Sequence, residues 1–268
     1  MESRPDVRLT KLAGYPLGLM LLPAVHHPTC PNRCRLKANS MFGSVLQPCL
    51  CLVTDRTLGD PEDLVHRIAA AVAGGVDMVQ LREKDLPGGT LLELARTVKE
   101  AIADRALLVV NERVDVALAA GASGVQLGEQ ALPPAIARDI MGSDSLIGRS
   151  VHSVAGADEA VAQGADFLVV GTMYSTRSHP GAAPAGPELM RQISRLCDLP
   201  LIGIGGINED NLGEVLAAGA SGVAVITRIL EAADPEAAAS TLKQAMSQAW
   251  QGGSPVVQGE TRGGSRAG

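Results

Sequence analysis

At 268 residues the chain has the length of one large α/β domain, since a closed eight-stranded barrel takes about 250. Hydrophobic residues make up 46% and aromatic residues only 2%, which excludes an aromatic-rich sandwich and suits parallel strands covered by small-residue helices. A net charge of −6 gives no footing for nucleic acid or an anionic membrane as partner, so phosphates would have to be held by local devices such as peptide N–H groups, a few cations or a metal.

Residues 1–48 are rich in Pro, Cys and basic residues and keep no period of either 2 or 3.6, so an irregular N-terminal extension is expected, with Met41 as an alternative start. Within it, LGLMLLPAV (17–25) is short and broken by a proline, and no clean cleavage site follows, so no targeting role is assigned. His26, His27, Cys30 and Cys34 have no second cysteine pair downstream at zinc-finger distance. The five cysteines are odd in number and unevenly placed, which fits a reducing cytoplasm better than a disulfide framework. No apolar run reaches the ~18 residues of a membrane span.

From residue 49 onward, short apolar runs alternate with longer amphipathic ones. The runs are 49–55, 77–82, 107–111, 124–127, 146–151, 167–171, 201–206 and 222–226. The helical patterns between and after them are 61–74, 88–104, 113–120, 133–141, 155–164, 187–196, 209–219 and 234–250. Eight strand–helix units in strict alternation predict a single (β/α)8 TIM barrel over 49–250, with an open doubly wound sheet as the alternative. The Gly/Ser/Arg-rich stretch 251–268 is expected to be a disordered tail.

In such a barrel the chemistry lies just after the strands. Strand two runs out into Gln80-Leu81-Arg82-Glu83-Lys84, where the period of two puts Gln80, Arg82 and Lys84 on one face. If that face looks inward, two cations and an amide converge on the mouth and suit a polyphosphate. Strand three ends in Asn111-Glu112, which can hold Mg2+ or can cap the next helix; the spacing leaves both open. Ser150 and His152 share a face of strand five, as site or as core. The segment 171–181 carries Thr176, Arg177, Ser178 and His179 and has the composition of a ligand-covering lid, or of an ordinary surface loop. Gly205-Gly206 after strand seven and Ile226-Thr227 after strand eight stand where this fold commonly builds a phosphate site.

Read in order, LVTD (52–55), VQLREK (79–84), VVNERVDVALAAGASGVQLG (109–128), SVH (150–152), GTMYST (171–176), IGIGGI (202–207) and ADPEAAA (233–239) resemble the thiamine-phosphate synthase and TenI superfamily from about residue 51 to 248. The resemblance implies a transferase of thiamine biosynthesis that joins hydroxymethylpyrimidine diphosphate to thiazole phosphate. Gln80, Leu81, Arg82, Glu83, Lys84, Asn111 and Ser150 would hold the pyrimidine diphosphate. Arg82, Lys84 and Ser150 would carry the chemistry. Thr176, Arg177, Ser178 and His179 would meet the thiazole or the diphosphate, while Gly206, Ile226 and Thr227 would take the thiazole phosphate. Glu112 stands at the Mg2+-binding position of the synthases, with Glu129 as a second, more distant carboxylate.

Three positions depart from the family pattern. Ala131 stands where the synthases carry a second Mg2+ aspartate, and His179 where they carry a lysine. Thr172 stands where the thiazole tautomerases carry their catalytic histidine, although IGRSVHS (147–153) is similar to that branch. The alternatives are therefore a thiazole tautomerase, or a non-catalytic sensor of thiamine intermediates. The expected partners are small phosphorylated molecules, and self-association into a homo-oligomer is left open.

Overall fold

The computed structural model describes residues 48–176 and 184–250 of the chain. The expected extension up to residue 47, the tail 251–268 and the site candidates Arg177, Ser178 and His179 lie outside the described residues. Eight strands follow one another: β1 Cys49–Val53, β2 Met78–Leu81, β3 Leu107–Asn111, β4 Gly124–Leu127, β5 Leu146–Val151, β6 Phe167–Val170, β7 Leu201–Ile204 and β8 Gly222–Val225. Each pairs in parallel with the next, and β1 pairs with β8 through Cys49↔Gly222 and Cys51↔Ala224, which closes the sheet. The predicted (β/α)8 barrel is the fold, and the open-sheet alternative falls.

Nine α-helices lie among the described residues: α1 Leu64–Ala73, α2 Gly88–Ile102, α3 Val114–Ala120, α4 Pro134–Met141, α5 Val154–Ala162, α6 Gly186–Ser194, α7 Leu212–Ala217, α8 Thr227–Leu230 and α9 Pro235–Ala249. The single-turn α8, absent from the periodicity, is too short to show a period. Helix α7 begins three residues later than its apolar pattern. There the Asn208 side chain accepts from the N–H groups of Asp210 and Asn211, and the Asn211 side chain accepts from Asn208 N at 2.9 Å. Such side-chain bonds offer the backbone an alternative to the helix.

Alternation along each strand sorts side chains into two cores. Leu50 and Leu52 of β1, Val79 and Leu81 of β2, Leu108 and Val110 of β3 and their counterparts pack outward against the helices. Cys49, Cys51, Val53, Met78, Val109, Leu146, Phe167, Val169, Ile202 and Ala224 fill the barrel interior. Both faces are therefore buried, which is why the strands read as continuous apolar runs. Burial pushes the interior thiol of Cys51 up to about 12 and raises that of Cys49 as well, which disfavours the thiolate of both.

Charged side chains secure the N-terminal end of the barrel. Asp77 accepts from Leu50 N at 2.7 Å and pairs with Lys243 of α9, which also donates to Pro48 O at 2.7 Å. Asp166 accepts from Ile147 N at 2.7 Å and pairs with Arg138 of α4. Burial pushes both carboxyls above the usual range, against the pull of their cationic partners.

Gly148 of β5 lies beside Phe167 because a Cβ there would sit 2.0 Å from Gln126 Oε1 and 2.3 Å from Phe167 Cζ. Overpacking of this kind costs about 1–3 kcal/mol. Gly148→Ala should lower Tm by roughly 2–12 °C in a thermal melt, given the usual shift per kcal/mol for a domain of this size. An unchanged melt would mean the barrel interior is not close-packed at this layer.

Candidate active site

Towards the C-terminal ends of the strands the interior changes character. Gln80, Asn111, Gln126 and Ser150 follow the apolar layers on β2 to β5, whereas Val169, Ile204 and Ala224 occupy the same end of β6 to β8. The four polar side chains pair off. Gln80 Nε2 donates to Asn111 Oδ1 at 2.9 Å, and Gln126 Nε2 donates to Ser150 Oγ at 3.1 Å. Buried amides keep one another oriented in this way because a missing partner is costly.

Above this floor opens a cavity of about 580 Å3, a size suited to a small-molecule ligand. Its lining brings together Gln80, Arg82, Lys84, Asn111, Glu112, Glu129, Ser150, Thr176, Gly206, Ile226 and Thr227, eleven positions singled out in the sequence. Arg82 and Lys84 are thus at the same rim as Gly206, as the inward-facing reading of strand two required. Lys84 Nζ lies 3.6 Å from Glu112 Oε1.

Two expected contacts face elsewhere. Leu81 is fully buried and packs outward against the helix layer, since a period of two that turns Gln80 inward must turn Leu81 outward. Glu83 is buried beneath the rim. It accepts from Thr54 Oγ1 at 2.6 Å and from Arg56 N at 3.2 Å, and Thr54 Oγ1 in turn accepts from Arg82 N at 2.9 Å. Glu83 is a brace between the loops after β1 and β2, holding the backbone that carries Arg82. Arg56 extends this brace to Asp85, whose carboxyl it holds below the usual carboxylate range through paired hydrogen bonds of 2.7 and 2.6 Å.

Glu112 adopts a left-handed backbone with φ of 59°. Its carboxylate lies over Gly128, where an added Cβ would come within 2.5 Å of Glu112 Oε1. The helix-capping reading of Asn111 and Glu112 falls: Arg113 occupies the cap of α3 without a side-chain bond, and Asn111 is engaged by Gln80. Ser150 and His152 both line the cavity rather than a core. His152 Nδ1 is 3.0 Å from Glu129 Oε1, which also accepts from His152 N at 3.1 Å.

The far wall is made by the turns after β6, β7 and β8. Gly205 and Gly206 have φ of 103° and 63°, and a Cβ on Gly206 would lie 2.6 Å from Ser175 O. Only glycine accommodates both the left-handed backbone and that approach. Met173 N and Tyr174 N donate to Ile204 O and Gly205 O at 2.8 and 2.9 Å, tying the segment that carries Thr176 to the glycine turn. The Tyr174 hydroxyl donates to Glu214 at 3.0 Å, and burial together with that carboxylate pushes it up to about 12.

Gln126 and Arg228 were not singled out in the sequence. Gln126 was legible in principle, as the lone amide inside the apolar run GVQL. Its Oε1 is buried without a hydrogen-bond partner among the described residues, one strand over from Asn111. Arg228 gave no signal, because the turn of α8 that presents it has no period.

A family model described as thiamine monophosphate synthase matches residues 50–229, which include every cavity-lining residue except Glu231. The chain belongs to the thiamine monophosphate synthase family. A thiamine-phosphate synthase of Methanoculleus marisnigri is 44% identical over 202 residues, covering 75% of this chain and 96% of that protein. One of Moorella thermoacetica is 40% identical over 202 residues, with the same coverage of both chains. Among solved structures, the thiamine phosphate pyrophosphorylase from Pyrococcus furiosus superposes with a TM-score of 0.69 at 37% identity, covering 75% of this chain and 96% of that one. The family match thus reaches from β1 through β8 and into the turn after it.

Glu83→Ala removes the acceptor of two buried or half-buried donors and should destabilise the protein by about 1–3 kcal/mol in urea unfolding. Arg82→Ala, at the cavity surface, should stay within about 0.5 kcal/mol of the parent. Equal stability of the two variants would show that Glu83 is not a brace.

Proposed function

We propose that the protein is a thiamine-phosphate synthase, transferring the hydroxymethylpyrimidine group from its diphosphate to the ring nitrogen of thiazole phosphate. The observation that carries this reading is the division of one cavity, with Arg82, Lys84 and the amide floor on one side and the glycine turn and apolar wall on the other. Two anionic substrates can enter such a cavity side by side with their phosphates at opposite walls.

On the polar side, Gln80, Asn111 and Ser150 line the cavity and offer donors and acceptors to an aminopyrimidine, while Gln126, buried beneath them, orients Ser150. Arg82 and Lys84 meet the diphosphate. The bond between the pyrimidine methylene carbon and the diphosphate oxygen breaks with its electron pair leaving on oxygen. The resulting cation is stabilised by the ring and is captured by the thiazole nitrogen lone pair. The protein supplies no nucleophile; it positions the reactants and stabilises the departing charge. On the other side Gly206, Ile226 and Thr227 present backbone N–H groups to the thiazole phosphate, and Thr176 reaches over it.

Mg2+ belongs to the proposal as a substrate-borne ion. No group of three or more acidic, His or Cys side chains forms a metal cage among the described residues. Glu112, which lies 3.6 Å from Lys84, is the carboxylate nearest the cations of strand two, and Glu129, beside His152, is the more distant one; both line the cavity. One carboxylate with water and diphosphate oxygens is an ordinary donor set for Mg2+. Glu112 would hold the ion there, and the ion would supply neutralisation of the leaving group's charge. A cytoplasmic setting is proposed on the buried Cys49 and Cys51, which form no disulfide with one another inside the barrel. No described helix is long and apolar enough to cross a membrane.

Incubation of purified protein with both substrates and Mg2+ should yield thiamine phosphate and diphosphate, and EDTA should abolish the product. Arg82→Ala or Lys84→Ala should reduce kcat by roughly 10²- to 10³-fold, the cost of one preorganised electrostatic contact. Absence of product with both substrates and metal present sinks the synthase reading. Metal-independent exchange of the acidic proton of a carboxythiazole phosphate would replace it with the tautomerase alternative.

A further inference from the structure

Beside the glycine turn, the rim carries a cation that the proposed reaction has not used. Arg228 lies in the first turn of α8, next to Thr227, and lines the same cavity wall as Gly205, Gly206 and Ile226. Its Nε donates to both oxygens of Glu209, at 3.0 and 2.8 Å. Glu209 stands in the turn after β7, in the stretch that the Asn208 and Asn211 side chains withhold from α7. The contact uses only the Nε side of the guanidinium, and the two Nη groups make no hydrogen bond among the described residues.

The pair is half open to solvent: the Arg228 side chain is 53% exposed and that of Glu209 20%. Burial raises the Glu209 carboxyl, but the hydrogen bond from Arg228, a backbone N–H bond and the Arg228 charge together leave it below its ordinary value. An exposed pair of this kind is weakly held. A guanidinium fork matches a phosphate at least as well as a carboxylate, and a dianionic phosphate is the stronger attractant. Glu209 then both aims Arg228 and competes with its ligand.

We propose that Arg228 is a specificity-determining residue for the phosphate of the thiazole substrate, with its Nη groups closing on an anion seated against the Gly206 and Thr227 backbone while Glu209 restrains it. This deepens the synthase reading and rests on it for the identity of the substrate, though not for the presence of an anion site. Arg228 selects a phosphorylated thiazole over the corresponding alcohol, because the alcohol leaves the guanidinium with its carboxylate alone.

The two members of the pair predict opposite outcomes. Arg228→Gln should raise KM for thiazole phosphate about tenfold, the loss of one charge-assisted pair of hydrogen bonds, with KM for the pyrimidine diphosphate unchanged. Arg228→Lys, which keeps the charge but not the fork, should fall between. Glu209→Gln should lower the KM for thiazole phosphate, since it removes the competing carboxylate. A strap that merely holds the turns together would respond in the same direction to either substitution, and that result overturns the proposal. Titration with inorganic phosphate, read by calorimetry, supplies a readout without turnover: affinity should fall in Arg228→Gln and rise in Glu209→Gln. If no variant turns over but phosphate affinity follows this order, the anion site stands and the synthase reading falls. If phosphate affinity is indifferent to Arg228, the site falls whatever the activity.

Discussion

Burial of both faces of a closed parallel sheet is the constraint from which the rest of this protein follows. Outward side chains are covered by helices and inward ones by one another, so the strands have no place for an unpaired polar group except at their ends. Gln80, Asn111, Gln126 and Ser150 occur at that limit, where the interior stops being closed, and they meet it by bonding in pairs. The cavity is the space that begins where the apolar layers finish. Its asymmetry has the same origin: β2 to β5 end in polar residues and β6 to β8 in apolar ones, so a single mouth has two chemically distinct halves.

Support beneath that mouth matters as much as its lining. Glu83, in the middle of a charged run, is buried, and its two oxygens hold Thr54 and Arg56 so that the Arg82 backbone is fixed. Opposite, the left-handed glycines at 205 and 206 let the segment after β6 pair with the turn after β7. Each half of the site is thus held by contacts between neighbouring loops rather than within one loop, an arrangement suited to keeping two ligands in register.

Charge at the rim is balanced locally. Lys84 faces Glu112, His152 faces Glu129 and Arg228 faces Glu209. Two cation–carboxylate pairs, Lys84–Glu112 and Arg228–Glu209, thus place positive groups at the opening of a chain whose net charge is negative.

The sequence by itself determined the barrel, the shared face of Gln80, Arg82 and Lys84 and the set of strand ends at the cavity, because period-two alternation and the count of eight units are local properties; closure decided that this face turns inward. The inventory of rim residues followed from the same rule, and the family motifs sharpened it. Tertiary structure alone decided that Glu83 is a brace, that Asn111 answers Gln80 instead of capping a helix, and that Glu129 is taken by His152. Those outcomes depend on which side chain stands across a gap from which, between segments as many as 31 positions apart in the chain, and no periodicity carries that information. Arg228 is the extreme case: a single helical turn leaves no pattern, and only the neighbouring turn with Glu209 gives the side chain its direction.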